Sequence, residues 1–229
     1  MNSISWNGDT FYSKGIIIEN IPTITKPNKR MTQYTIPGRN GVLNVDEGTY
    51  DTISLALNCH FQDGNANILS LNQWLDGFGQ LSLDGIKYYE GVINNNIPYE
   101  QITNFKKFQV NFLLNPIQKK IIPTTNVIDI SEATNTIEVG GTANAYPTIT
   151  IEGEGQLIVR INEITFTLDN ADGEYILDSE AKEIIHNNQS AMSIMSGDFP
   201  YLVPGDNEIF ISGTGTYTSM SITYNESYL

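Results

Sequence analysis

The 229-residue chain carries 12 Lys and Arg against 26 Asp and Glu, a formal net charge of −14, and is 40% hydrophobic and 10% aromatic. The hydrophobic share is enough to build buried cores and excludes a disordered chain, and the length suits one large domain or two small ones. The acidity argues against nucleic-acid partners, no apolar run nears the roughly 20 residues that span a bilayer, and the lone Cys59 excludes an internal disulfide or a multi-cysteine zinc site.

The charge is unevenly spread. Residues 1–125 hold ten cations and ten carboxylates, whereas residues 126–229 hold only Arg160 and Lys182 against sixteen carboxylates. That step predicts two domains, 1–125 and 126–229, with the boundary near residue 125.

At the start, "MNSISWNGDTFYSKG" has neither the basic opening nor the apolar stretch of a signal peptide, so none is expected. In "TIPGRNGVL", Pro37-Gly38 and Asn40-Gly41 are strong turn dipeptides that put Arg39 at a hairpin tip, where it could pair with a neighbour's carboxylate. "TISLALNCHF" (52–61) alternates Ile53, Leu55, Leu57 and Cys59 onto one face of a strand, which makes Cys59 a small buried residue and sends His60 to the other face. "NANILSLNQWLDGFG" changes period. Ile68, Leu71, Trp74 and Leu75 recur at helical spacing, predicting one helix over about 66–76, capped by Asn65 or Asn67 and stopped by Gly77, with Trp74 as its packing anchor.

A hairpin turning at Asp84-Gly85 follows, then a strand in "FKKFQVNFLL" (105–114) with Phe105, Phe108, Val110 and Phe112 apolar. Residues 115–145, with two prolines near the start and the Gly140-Gly141 pair, read as a connection. Beyond it, "YPTITIEG" (146–153), "QLIVRI" (156–161), "ITFTL" (164–168) and "EYILD" (174–178) read as short strands, with turns at Asn162-Glu163 and Asp172-Gly173. "NEIFIS" (207–212) and "YTSMSITY" (217–224), separated by the glycines of "GTG", close the pattern. The predicted fold is mainly β, two antiparallel β-sandwich domains with one helix in the first.

Few residues offer chemistry. His60 and His186 have no partner at metal-ligand spacing, and no GxSxG, HExxH, phosphate loop or EF-hand occurs. Asp169, Asp172 and Glu174 in "TLDNADGEY" lack a full calcium-ligand series and read as hairpin-loop acids. In "GDFPYLVPGDNEIFISG" (197–213), Asp198 and Asp206 belong to turns beside Pro200 and Pro204, which exclude a helix. No catalytic, cofactor or metal site is expected, and an acid-pair glycosidase has only the abundance of carboxylates in its favour.

The order of "IPGRNGVLNVDEGTYDTISLALNCHF", "FKKFQVNFLLNP", "ANAYPTITIEGEG" and "MSGDFPYLVPGDNEIFISG" over nearly the whole chain resembles the distal tail (Dit) proteins of siphophages. The resemblance implies a first domain with a helix and an extended hairpin that packs into a hexameric ring, and a galectin-like second domain outside it. It also implies a non-enzymatic hub in the virion tail tip that joins the tail tube protein to a tail-associated lysin, fibre or receptor-binding protein. By that likeness Pro37, Gly38, Arg39, Asn40 and Gly41 lie in the arm region and are the candidates for subunit contact. The alternative is a carbohydrate-binding module for host glycans. However, the galectin His-x-Asn-x-Arg and Trp-x-x-Glu-x-Arg signatures are missing: no tryptophan lies beyond Trp74, and Arg160 is the second half's only arginine.

Overall fold

Period-two burial shapes most of the molecule. In Ile53–Phe61 every second residue is buried, and Lys107–Lys120 repeats the pattern as far as Leu114, so each strand turns one face to a core and the other to water. The computed structural model describes residues 3–62, 68–93, 96–97 and 107–229. It consists of two units, residues 1–118 with the terminal Leu229, and residues 119–228.

The first unit is an antiparallel sheet in the order Asp9–Thr10, Ser5–Trp6, Gly77–Ser82, Lys87–Ile93, Lys107–Lys120, Ile53–Phe61, Ile16–Ile18. Trp6, Phe11, Leu57, Phe61, Leu81, Val110 and Phe112 fill its core. Each such side chain contributes about 1.5–3 kcal/mol by leaving water. Helix Ile68–Trp74 adds Leu71 to that core, and Leu75 follows just past its end. The cap candidates Asn65 and Asn67, like Phe105, lie outside the described residues. The helix stops because the chain must turn at Gly77 with φ of 70°, a backbone state glycine adopts freely. Trp74 is the packing anchor: its ring meets Phe11 edge-on at 5.0 Å and its indole N–H donates to the Trp6 carbonyl at 3.3 Å. Asp84 closes the next hairpin by accepting from the N–H groups of Ile86 and Lys87, both at 2.8 Å.

Residues 115–120, expected within a connection, continue the strand. The ladder to Ile53–Phe61 ends at Leu114, so Pro116, which lacks an N–H, interrupts no bond of it. Strands Thr124–Val127 and Thr134–Val139 also fall inside that expected connection.

The second unit is built around two long strands, Thr148–Ile161 and Ile164–Asp178, where four short ones were predicted. Asn162, in the left-handed region at φ 53°, makes the turn between them. Asp172-Gly173 does not turn, because Gly173 lies opposite Gly153 within the ladder. Strand Thr148–Ile161 pairs with Thr216–Tyr224 along its first half and with Gly205–Ser212 along its second. The register shifts around Gly155 mark the bend where it changes partners. The glycines of "GTG" serve this crossing. A Cβ on Gly213 or Gly215 would stand 2.3 Å from the carbonyl oxygen of Gln156 or Glu154. Ile149, Ile151, Leu157, Val159, Ile161, Phe166, Ile209 and Ile222 form this unit's core.

Candidate functional site

Strands Lys29–Thr35 and Val42–Tyr50 form a two-stranded sheet of their own. Between them Pro37, Gly38, Arg39, Asn40 and Gly41 make the tip, with Gly38 and Gly41 at φ near 81° and 82° and the Arg39 N–H donating to the Ile36 carbonyl at 3.1 Å. All five tip residues are exposed. Arg39 makes no ion pair among the described residues.

Cross-strand register sorts the hairpin into two faces. Tyr34 opposes Leu43 and Thr32 opposes Val45 on one; Thr35 opposes Val42, Gln33 opposes Asn44 and Met31 opposes Asp46 on the other. Tyr34 is 54% exposed, and Leu43 and Val45 are each 43% exposed. Met31, Ile36 and Val42 are exposed as well, and so are Ile21 and Ile24 on the extended approach to the hairpin. A two-stranded hairpin is marginal in water by itself, and a soluble surface rarely carries so many apolar side chains together.

The base of the hairpin is held by charge. Lys29 pairs with Asp46 at 2.6 Å, Arg30 pairs with Asp51 at 3.1 Å, and the Thr32 hydroxyl donates to Glu47. The Lys29 ammonium, followed by the Gly48 N–H, holds the Asp46 carboxyl below the usual carboxylate range, and Asp46 in turn raises Lys29. Polar groups therefore anchor the base while apolar groups occupy the shaft.

The other singled-out residues serve structure. Burial pushes the Cys59 thiol up to about 12, far from a reactive thiolate. His60 Nδ1 lies 3.3 Å from Glu19, whose carboxyl is held low mainly by Lys107. His186 stacks on Tyr175 at 4.4 Å; its Nδ1 lies 2.8 Å from the Glu174 carbonyl and its Nε2 2.8 Å from the Asn187 amide nitrogen. That pattern assigns the proton to Nδ1. Asp169 accepts from the Gln156 amide at 2.8 Å and Asp172 from the Tyr175 hydroxyl at 2.7 Å, both on a strand and not in the predicted loop. Among the described residues no three His, Cys, Asp or Glu side chains are grouped to hold a metal.

Asp198, Asp206 and Glu208 do not converge on a cleft. Asp206 opens strand Gly205–Ser212 opposite Glu138, and Glu208 lies opposite Thr136. The residue between them, which sequence reasoning passed over, is Asn207. It is fully buried, accepts from the Val203 N–H and the Asn162 amide, and donates to the Val203 and Gly205 carbonyls, all within 2.8–3.0 Å. The only hint in the sequence is an asparagine at an inward position of an alternating strand.

Like charges also oppose one another in the second unit: Glu152 faces Glu174, Glu154 faces Asp172, and Glu138 faces Asp206. Each such pair costs stability in the isolated chain.

Residues 132–228 match the family model of the siphovirus-type tail component, C-terminal domain. The chain is also similar to the crystal structure of SPP1 Dit (gp 19.1), described as a paradigm of hub adsorption apparatus in Gram-positive infecting phages. The TM-score is 0.76 at 13% identity, over 99% of each chain. No curated protein matches the chain.

Proposed function

We propose that this chain, whose residues 132–228 match the siphovirus-type tail component model and whose fold is similar to SPP1 Dit, is a Dit-family protein, a non-enzymatic hub of the phage tail tip whose copies join through the hairpin Lys29–Tyr50. Six copies close a ring beneath the tail tube, and the second unit faces outward toward a tail-associated lysin, fibre or receptor-binding protein. The protein is made in the host bacterial cytoplasm and resides in the virion tail tip.

The observation that carries this reading is the uncovered apolar shaft of the hairpin. Covering Tyr34, Leu43, Val45, Met31 and Val42 against a neighbour gains about 1 kcal/mol for each half-exposed side chain, enough to matter beside the cost of association. Arg39, which makes no ion pair among the described residues, is available to a carboxylate of the next copy. A contact in which the hairpin of one copy meets a different surface of the next is heterologous, and such contacts make rings when the rotation closes. The charge step supports the same arrangement. Residues 1–125 are balanced and pack without net repulsion, while screening over about 8 Å at physiological salt keeps separated acidic units from opposing the ring.

Sedimentation velocity tests it. The wild-type chain is expected to associate, and Tyr34→Ser with Leu43→Ser to remain monomeric while folded. A variant that associates as well as the wild type would remove the hairpin from the interface.

A further inference from the structure

We propose that Tyr146 and Tyr201 form the docking point on the second unit for a partner protein that presents arginine or lysine side chains. This rests on the hub reading only in that a hub has partners to hold; the site itself stands on its geometry.

The two rings lie 6.5 Å apart between centroids at an interplanar angle of 59°, and they are 51% and 38% exposed. Neither hydroxyl makes a hydrogen bond among the described residues. Each ring stands on buried neighbours: Tyr146 between Ala145 and Pro147, Tyr201 between Pro200 and Leu202. Ala145 and Leu202 are fully buried and exchange backbone hydrogen bonds, N–H to carbonyl, at 2.9 and 2.8 Å. Just beyond, the Asn207 side chain fastens Val203 and Gly205. Two exposed aromatics are thus mounted on backbone already paid for in the folding of the unit, and a partner binding there orders little. Tyrosines held in this way recur at interface hot spots, where a ring gives large contact area at low entropic cost.

Charge selects the occupant. Asp198 and Asp206 lie on the same segment as Tyr201, Glu138 opposes Asp206, and residues 126–229 have sixteen carboxylates against two cations. A second copy presenting the same unit would bring like charge to like charge, and a neutral saccharide would gain nothing from the field. A cationic side chain gains from both the ring faces and the net negative charge of residues 126–229. The unit already uses that contact internally: the Arg160 guanidinium lies 3.8 Å over the Phe210 ring.

Fluorescence anisotropy of the full chain at low salt tests the site. The probe is the fluorescein-labelled peptide GRPGRPGRPG, compared with a counterpart carrying citrulline for arginine, and chitotetraose serves as unlabelled competitor. Saturable binding of the arginine peptide is expected, about tenfold weaker in Tyr146→Ala with Tyr201→Ala and likewise in Tyr146→Leu with Tyr201→Leu, which keeps the apolar bulk. Glu152→Gln with Glu154→Gln, which removes two charges elsewhere, is expected to change affinity less than about twofold. Equal binding by wild type and both tyrosine variants, equal binding of the citrulline peptide, or displacement by chitotetraose would each overturn the proposal. Light scattering on the same samples reports self-association, so a failure of the ring reading shows separately.

Discussion

Asn207 shows how much of the second unit hangs on one side chain. It sits between two exposed acids that attract attention in the sequence, yet it is the amide that pins the Tyr201 segment to the strand. Replacing it with alanine removes a fully buried amide from four hydrogen bonds, the one from the half-buried Val203 N–H among them, so Asn207→Ala is expected to destabilise by about 2–4 kcal/mol in urea unfolding. Glu226 makes a smaller, pH-dependent contribution. The Tyr228 hydroxyl at 2.6 Å, then Lys120 at 3.1 Å, hold its carboxyl below the ordinary carboxylate range. A carboxyl lowered in the folded state stabilises above its ordinary value, near 4.5, and loses that contribution as pH falls through the lowered one. Glu226→Gln is therefore expected to lower stability at pH 7, by less than about 1 kcal/mol because the pair is partly exposed. The gap to wild type should close in acid; a gap independent of pH would assign the effect to packing.

At the scale of elements, alternation made most strands legible. Ile53–Phe61 could be assigned residue by residue, because one face is buried and the other wet. The long strands of the second unit were not legible as continuous, since the alternating run stops at Gly153 and Asp172-Gly173 reads locally as a turn. Only the ladder shows Gly153 and Gly173 facing each other and Gly155 at a bend. The tip Pro37–Gly41 was legible as a turn from its dipeptides, but no sequence period shows that neither face of the hairpin is covered. The Tyr146–Tyr201 pair was hidden for a related reason: it is made by a bridge between Ala145 and Leu202, segments far apart in the chain. Two expectations belong to this scale. Tyr34→Ser and Leu43→Ser are expected to change the monomer's unfolding free energy by no more than about 0.5 kcal/mol each, as both side chains are already half in water. Glu154→Lys, which turns the pair with Asp172 from repulsive to attractive, is expected to raise stability by about 0.5–1 kcal/mol and to weaken its dependence on salt. Thermal unfolding at two salt concentrations reads both quantities, and an unchanged midpoint in Glu154→Lys would show that the like-charge pairs are already relieved by solvent.

For the whole molecule, the division of labour follows from where charge and apolar surface lie. The balanced first part carries an uncovered hairpin suited to contact between copies. The acidic second part carries rigid aromatics suited to a basic partner. Cys59 is buried, and His60, His186, Asp169 and Asp172 each contact neighbouring groups within the fold. Negative-stain electron microscopy of the purified full chain tests the central claim most directly, beside the same protein with Tyr34→Ser and Leu43→Ser. The hub reading expects six-fold rings with a central hole from the wild type and isolated particles from the variant. Isolated wild-type particles at every concentration, with tail tube protein present or absent, or intact rings from the variant, would contradict it.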